Sequence, residues 1–136
     1  MMPDMEVFRE QVGCNISATE AQIKICNIKL KQGKLPELPT EYTEVLKVCN
    51  GFSNEGVSVF GAEIKNNNWF KDVAEFNAAY FHNNGADWLI LGEDEFVYFI
   101  YNASEKKYCI VDRDTLEEEF STEDISVALN CILRIE

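Results

Sequence analysis

Two short acidic segments contain the side chains whose types and spacing could do chemistry. Glu93, Asp94 and Glu95 precede one apolar run, and Asp112 and Asp114 follow the next. Because the two runs have the pattern of neighbouring strands, these carboxylates are expected at adjacent strand ends. Two of them could meet there as an acid/base pair or a divalent-metal site. Hairpin turns are also commonly acidic and solvated, so a plain turn is the simpler interpretation.

A third acidic group, Glu117, Glu118 and Glu119, lies between Leu116 and Phe120 in a segment that is predicted to be a strand. Charges on both faces of a strand typically protect a sheet edge from pairing with another chain. The same charges can form a contact patch for a basic partner. The sequence leaves both roles open.

The net charge of −12 is concentrated in the last third of the chain. Residues 87–124 contain twelve acidic and three basic side chains, which gives −9 of the total. Such a field repels the phosphates of DNA and RNA and attracts a basic protein. The charge pattern therefore disfavours nucleic-acid binding and favours a protein partner.

Other candidates for catalysis or metal binding lack partners in the sequence. The single histidine, His82, has no second histidine to complete an ordinary zinc or catalytic cluster, and a position at the end of a helix is the better explanation. Ser17, Thr40 and Ser121 have the pattern of helix caps rather than nucleophiles. We therefore predict no catalytic residue, no metal and no cofactor, so the protein is not expected to be an enzyme.

The cysteines and the amino terminus bear on the cellular compartment. The five cysteines are an odd number without a C-x-x-C pair, which favours buried free thiols over disulfides or a metal site: Cys14, Cys26, Cys49, Cys109 and Cys131. The first residues lack the basic and apolar segments of a signal peptide, and no run has membrane-spanning length. These features predict a soluble, cytoplasmic protein without a membrane segment.

The helix after Pro39 is the element around which the other predicted elements are arranged. Thr40 is the expected cap, and Asn50-Gly51 supplies the left-handed backbone that ends a helix. Its apolar positions have helical spacing and predict one buried face: Tyr42, Val45, Leu46 and Cys49.

The remaining elements are predicted from periodicity and turn signals. An earlier helix follows a capping box at Ser17–Glu20, with Ala21, Ile25 and Ile28 on its apolar stripe, widened by Ile23, Cys26 and Leu30. Residues 52–55 are expected to be a loop, 56–64 short strands or a hairpin around Gly61, and 66–81 a helix with an aromatic face. Residues 95–101 form a strand covered on both sides, and Ser121 begins the closing helix. A short helix is also expected over residues 4–12.

This order of elements predicts a single α+β domain over residues 1–136, with an antiparallel β-meander sheet packed with helices. The residues around the central helix resemble the signature of the SUKH superfamily, or Smi/Knr-type domain, in its small bacterial form. They are Leu38-Pro39, Tyr42, Leu46 and Asn50-Gly51, followed by Val57 to Gly61. The long helical segment before Leu38 departs from the family.

The resemblance implies an α+β domain whose shared residues shape the fold and which has no common catalytic set. Many bacterial members are immunity proteins that bind and neutralise polymorphic toxins, often nucleases. We therefore expect a protein-binding module that occludes a basic toxin domain. An adaptor that binds another intracellular partner and a small metal-dependent hydrolase remain the alternatives, and the oligomeric state is not predicted.

The predicted partner-binding residues combine the three acidic groups with two tryptophans that could anchor a partner. They are Glu93, Asp94, Glu95, Asp112, Asp114, Glu117, Glu118, Glu119, Trp69 and Trp88. The family-like residues Leu38, Pro39, Tyr42, Leu46, Asn50 and Gly51 are interpreted as structural, because their types are those of caps, core and corner.

Overall fold

A seven-stranded antiparallel sheet forms the framework of the computed structural model, which describes residues 13–65, 67, 69–79 and 87–133. The strands are β1 (Gly13–Cys14), β2 (Phe52–Asn54), β3 (Val57–Val59), β4 (Trp88–Glu93), β5 (Val97–Asn102), β6 (Lys107–Asp112) and β7 (Glu118–Thr122). They lie side by side in chain order, each antiparallel to the next.

Four helices in the described residues pack with this sheet: α1 (Glu20–Gln32), α2 (Thr40–Leu46), α3 (Val73–Ala79) and α4 (Ile125–Leu133). The predicted α+β fold with an antiparallel meander is confirmed. No helix in this part of the chain combines the length and the apolar character needed to cross a membrane. The helix predicted over residues 4–12 and the residue His82 lie outside the described residues.

Strand β5 lies in the middle of the meander, between β4 and β6. Its side chains alternate between the two faces of the sheet, and Phe99 and Ile100, on opposite faces, are both fully buried. The prediction that this strand is covered on both sides is therefore confirmed. Phe96 is the exception, because it precedes the strand and lies in the turn that leads into it.

Helix α2 buries the face that the periodicity predicts. Its apolar positions Tyr42, Val45 and Leu46, and Cys49 just beyond its end, are fully buried. Its start differs from the prediction, since Pro39 occupies the N-cap and no side chain caps the helix. Thr40 is therefore the first helical residue rather than the cap.

The chain turns sharply after α2, and Asn50 stabilises this turn. The Asn50 side-chain amide donates to the Ala62 carbonyl at 2.9 Å and accepts from the Ala62 N–H at 2.7 Å. Gly51 has a φ of +106°, which favours glycine. A Cβ on Gly61 would lie 2.5 Å from Asn50 Oδ1, so only glycine fits this approach. We call Asn50, Gly51, Gly61 and Ala62 the asparagine corner.

Asn77 on α3 uses the same side-chain geometry at the edge of β4. Its amide donates to the Ile90 carbonyl at 2.8 Å, and its oxygen accepts from the Ile90 N–H at 2.9 Å. Gly92 and Glu93 are the residues of β4 that pair with β3. At Ile90, the Asn77 side chain takes the place of a neighbouring strand. Two buried asparagines therefore satisfy backbone groups that the short strands leave open.

Between residues 52 and 64, the predicted loop at 52–55 is wrong, and of the two alternatives predicted for 56–64 the structure has a short strand, β3, and no hairpin around Gly61. The expected loop at 52–55 contains β2, and the β2–β3 turn is at Glu55-Gly56, where both residues have positive φ. Gly61 does not form a hairpin turn. Its N–H donates to the Lys71 carbonyl, and it forms an isolated bridge with Asp72.

Two helices begin later than predicted because aspartates cap them. Helix α3 begins at Val73 rather than at residues 66–68, since Asp72 Oδ2 accepts from the Glu75 N–H at 2.8 Å. Before α4, Asp124 Oδ1 accepts from the Ser126 N–H at 2.8 Å. Ser121, the predicted cap, lies within β7.

Helix α1 has a different cap and a different buried face from those predicted. The capping box pairs Thr19 with Gln22 rather than Ser17 with Glu20. The buried residues are Ile23, Cys26 and Leu30, whereas Ile25 and Ile28 are exposed. The predicted stripe therefore included residues from two faces of the helix.

The prediction of five free thiols is wrong for two of the cysteines. Cys14 and Cys49 form a disulfide, with their Cα atoms 5.4 Å apart. The pairing of β1 with β2 brings Cys14 opposite Phe52 and beside the end of α2. Cys26 and Cys109 are buried free thiols, and burial raises the pKa of each to about 12. Cys131 is free and exposed.

Candidate partner-binding surface

Glu93 lies at the end of β4 and is buried rather than available on the surface. Its carboxylate forms ion pairs with Lys71 and, at 3.3 Å, with Arg113 Nη1. The Arg113 guanidinium also lies 4.9 Å from the centre of the Tyr98 ring. A buried carboxylate requires such partners. Glu93 therefore stabilises the hairpin end and is not accessible to a partner.

Asp94 is also buried and shapes the turn between β4 and β5. Its Oδ1 accepts from the N–H groups of Phe96 at 2.7 Å and Val97 at 2.8 Å. Its own N–H donates to the Val97 carbonyl at 3.0 Å. This is the aspartate turn expected of the simpler interpretation. It places Glu95 and Phe96 at the tip.

Asp112 shapes the turn after β6 in the same way. Its Oδ1 accepts from the N–H groups of Asp114 at 2.8 Å and Thr115 at 2.9 Å. These two backbone bonds, first that of Thr115 and then that of Asp114, lower the pKa of Asp112. Asp114 itself is exposed at the tip of the turn.

Arg113 joins the two turns. Its N–H donates to the Phe96 carbonyl at 3.0 Å, and its Nη1 donates to the Asp94 carbonyl at 2.6 Å. The Glu117 carbonyl lies at the same end of the sheet, because it accepts from the Asp112 N–H at 2.9 Å. The two acidic segments therefore form one surface, as the sequence predicted for adjacent strand ends.

The accessible part of this surface consists of one aromatic and four acidic residues. Phe96 is 67% exposed, which is unusual for a phenylalanine in a folded chain. The carboxylates around it are also exposed. We call this set the acidic hairpin end: Glu95, Phe96, Asp114, Glu117 and Glu119.

Glu118 lies on the edge strand β7 and is partly neutralised. Its carboxylate lies 3.2 Å from Lys107 Nζ, and the hydrogen bond from Lys107 lowers the pKa of Glu118. Cys109 Sγ approaches the same carboxylate at 3.5 Å. Phe120, two residues further along β7, is partly exposed. Glu118 and Glu119 lie on the edge strand, as predicted, whereas Glu117 precedes it.

The two predicted tryptophans lie in different elements, and Trp88 lies away from the acidic hairpin end. Trp69 is 76% exposed in the loop before α3, where Asn67 Oδ1 accepts from its N–H at 2.8 Å. Trp88 is half-buried against the core and pairs with Asn102 at the other end of β4. That end lies about 20 Å from the turn at Asp94, given the rise along a strand.

Phe96 was missed because the sequence analysis placed it in a covered strand. The alternating apolar run 95–101 contains no break that marks its start. The usable signal was Asp94, since an aspartate at the first position of a turn commonly accepts from the N–H groups two and three residues later. That rule would have placed Glu95 and Phe96 at the tip.

A concavity of about 630 Å³ lies beside α3. Its lining is part apolar, from Phe70 and Phe76, and part charged, from Lys71 and Asp72. Lys71 pairs with Glu93, while Asp72 accepts from the N–H groups of Ile64 and Glu75. Both charged groups therefore already take part in contacts that stabilise the fold.

The structure offers no metal site among the residues it describes. No group of three or more His, Cys, Asp and Glu side chains there is arranged to hold an ion. The two acidic turns come together, but Glu93 is bound by Lys71 and Arg113 and Asp94 by backbone N–H groups. Comparison of the chain with protein families and with curated proteins finds no match. The resemblance to the SUKH superfamily therefore stays a prediction.

Proposed function

We propose that the protein is a non-catalytic binding module that contacts a basic protein partner through the acidic hairpin end. The observation that carries this proposal is the exposed ring of Phe96 within a set of exposed carboxylates on two joined turns. Aromatic side chains are frequent anchors in interfaces, and charges around an anchor steer the approach of a partner of opposite sign. Arg113 and the two aspartate turns hold this surface in one shape, which lowers the entropy lost on binding.

The class of partner follows from the charge and from the resemblance to the SUKH superfamily. The chain carries −12, most of it in the third that contains the acidic hairpin end. A nuclease domain has a basic substrate groove, to which such a surface is complementary. In this proposal the protein is a bacterial immunity protein that occludes a toxin. An adaptor that binds without inhibiting is the alternative.

The first test reverses charges on the acidic hairpin end. Glu95→Lys with Asp114→Lys should slow association with the partner retained from the native cell at least about tenfold at low salt, and should flatten its salt dependence. The matched control is Asp87→Lys with Glu105→Lys, which makes the same charge change at the opposite end of the strands. Equal association rates for the two variants would remove this surface from the proposal.

A second measurement separates an immunity protein from an adaptor. The purified partner is assayed for nuclease activity with increasing amounts of the protein. Stoichiometric loss of that activity supports immunity, and full activity in a saturated complex supports the adaptor. Phe96→Ser should raise the dissociation rate in either case, because it removes the aromatic anchor but leaves the charges in place.

A further inference from the structure

The segment from Gly13 to Ala18 lies along the asparagine corner and is attached mainly through its backbone. The Asn15 N–H donates to the Gly51 carbonyl at 3.1 Å, and the Ala18 N–H donates to the Leu46 carbonyl at 2.8 Å. In the other direction, the Asn50 N–H donates to the Ile16 carbonyl at 3.2 Å. Strand β1 adds two residues of pairing with β2.

The side chains of this segment contribute little apolar contact. Ile16 is 83% exposed, and Gly13 and Ser17 are also exposed. Ala18 is buried but has only one methyl group. A segment with few buried apolar contacts opens at a low free-energy cost. The Cys14–Cys49 bond is therefore the strongest attachment of this segment to the corner.

The two sulfur atoms of this bond differ in accessibility. Cys49 is fully buried, whereas Cys14 is half-buried. An open concavity of about 360 Å³ lies beside Cys14 and is lined by Asn15, Ile16, Ser17 and Val48. A small thiol can therefore reach the disulfide from the Cys14 side.

We propose that the Cys14–Cys49 disulfide is a redox latch that holds β1 on the edge of the sheet. The thiolate of a small thiol attacks Cys14 Sγ, forms a mixed disulfide and displaces Cys49 as a thiolate, which takes up a proton from water. A second thiol attacks the sulfur that the reductant contributed to the mixed disulfide. It releases Cys14 as a thiol and leaves the reductant as its own disulfide. Both cysteines are reduced, and two reductant thiols are oxidised.

Opening of the latch changes which strand forms the edge of the sheet. In the oxidised protein, Gly13 and Cys14 pair with Ser53 and Phe52. Release of β1 exposes the outer edge of β2, whose free N–H and C=O groups can pair with another strand. The inference is independent of the proposed function, because the disulfide joins β1 to the end of α2, whereas the acidic hairpin end lies at the turn between β4 and β5 and at the segment from β6 to β7.

Hydrogen exchange of single amides tests the latch. The full-length protein is oxidised with glutathione disulfide, and the exchange of the Asn15, Ala18 and Asn50 amides is measured before and after reduction with dithiothreitol. We expect reduction to speed exchange at these three amides at least about tenfold. The amides of Phe60 and Gly61, which donate to Leu91 and Lys71 within the core, should exchange at unchanged rates.

Thiol counting and two variants complete the test. The oxidised, denatured protein should expose three reactive thiols and yield a peptide that links Cys14 to Cys49. The control variant Cys131→Ser, at the exposed free cysteine, should retain the response to reduction. The double variant Cys14→Ser with Cys49→Ser should show fast exchange at the Asn15 and Ala18 amides without reductant. Five reactive thiols, unchanged exchange after reduction, or faster exchange throughout the core would each overturn the latch.

Discussion

The asparagine corner and the acidic hairpin end are both built from polar residues at turns, yet they use these residues in opposite ways. At the corner, Asn50 is 2% exposed, and its amide pairs with both backbone groups of Ala62. At the acidic hairpin end, Asp94 and Asp112 satisfy the turn backbone, and the carboxylates between and after them remain exposed. Polar side chains stabilise the fold at the first site and are presented to solvent at the second.

The residues that determine the fold are therefore different from the residues that we propose to bind the partner. Two of the residues that resemble the SUKH superfamily, Asn50 and Gly51, lie in the corner, and a third, Tyr42, donates its hydroxyl to the adjacent Phe60 carbonyl. Residues with such buried bonds constrain the backbone and carry no information on the partner. The surface that we propose for binding contains none of them, so the corner could stay the same while the partner changes.

The largest effect should come from the corner. Asn50→Ala leaves the buried N–H and carbonyl of Ala62 without their side-chain partner, which should lower the free energy of unfolding by about 3 kcal/mol. Asn130→Ala is the matched control, because Asn130 is exposed on α4. It should change stability by less than about 0.5 kcal/mol. Urea unfolding measures both, and similar midpoints for the two variants would contradict the role of the corner.

A second, smaller effect tests how closely the backbone approaches in the corner. A Cβ on Gly61 would lie 2.5 Å from Asn50 Oδ1 and 2.6 Å from the Asn50 carbonyl oxygen, so Gly61→Ala should cost about 2 kcal/mol. At Gly33 the nearest atom would lie at 3.6 Å, and the φ of −84° suits alanine. Gly33→Ala should therefore leave the urea midpoint almost unchanged. A cost at Gly33 equal to that at Gly61 would show that close approach is not the cause.

The two regions also differ in how much of them the sequence predicted. The buried face of α2 and the covered strand β5 follow from local periodicity, so both were predicted correctly. The pairing of Asn50 with Ala62 and the Cys14–Cys49 bond depend on contacts between segments that are distant in the chain, for which a single sequence gives no signal. The start of α3 depends on a local cap, Asp72, which competes with the asparagines at 66–68 as a start signal. For the predicted partner-binding acids, the composition identified the part of the chain in which they lie, but it did not show which of them are exposed. Glu93 and Asp94 are buried because Lys71, Arg113 and the turn backbone bind them.

The smallest effect should come from Glu118, on the edge strand β7 beside the acidic hairpin end. The hydrogen bond from Lys107 lowers the pKa of Glu118, so the folded state binds its proton more weakly than the unfolded state. The pair therefore adds stability above the ordinary glutamate pKa, and this contribution is lost as the pH falls through the lowered, folded-state pKa. Since Glu118 is 47% exposed, solvent and salt screen the pair, and Glu118→Gln should cost less than about 0.5 kcal/mol at pH 7. The difference from the unmodified protein should vanish once the pH lies below the lowered, folded-state pKa of Glu118, and it should shrink in about 1 M salt. A loss as large as that of Asn50→Ala, or one that persists in acid, would mean that Glu118 stabilises the fold as the corner does.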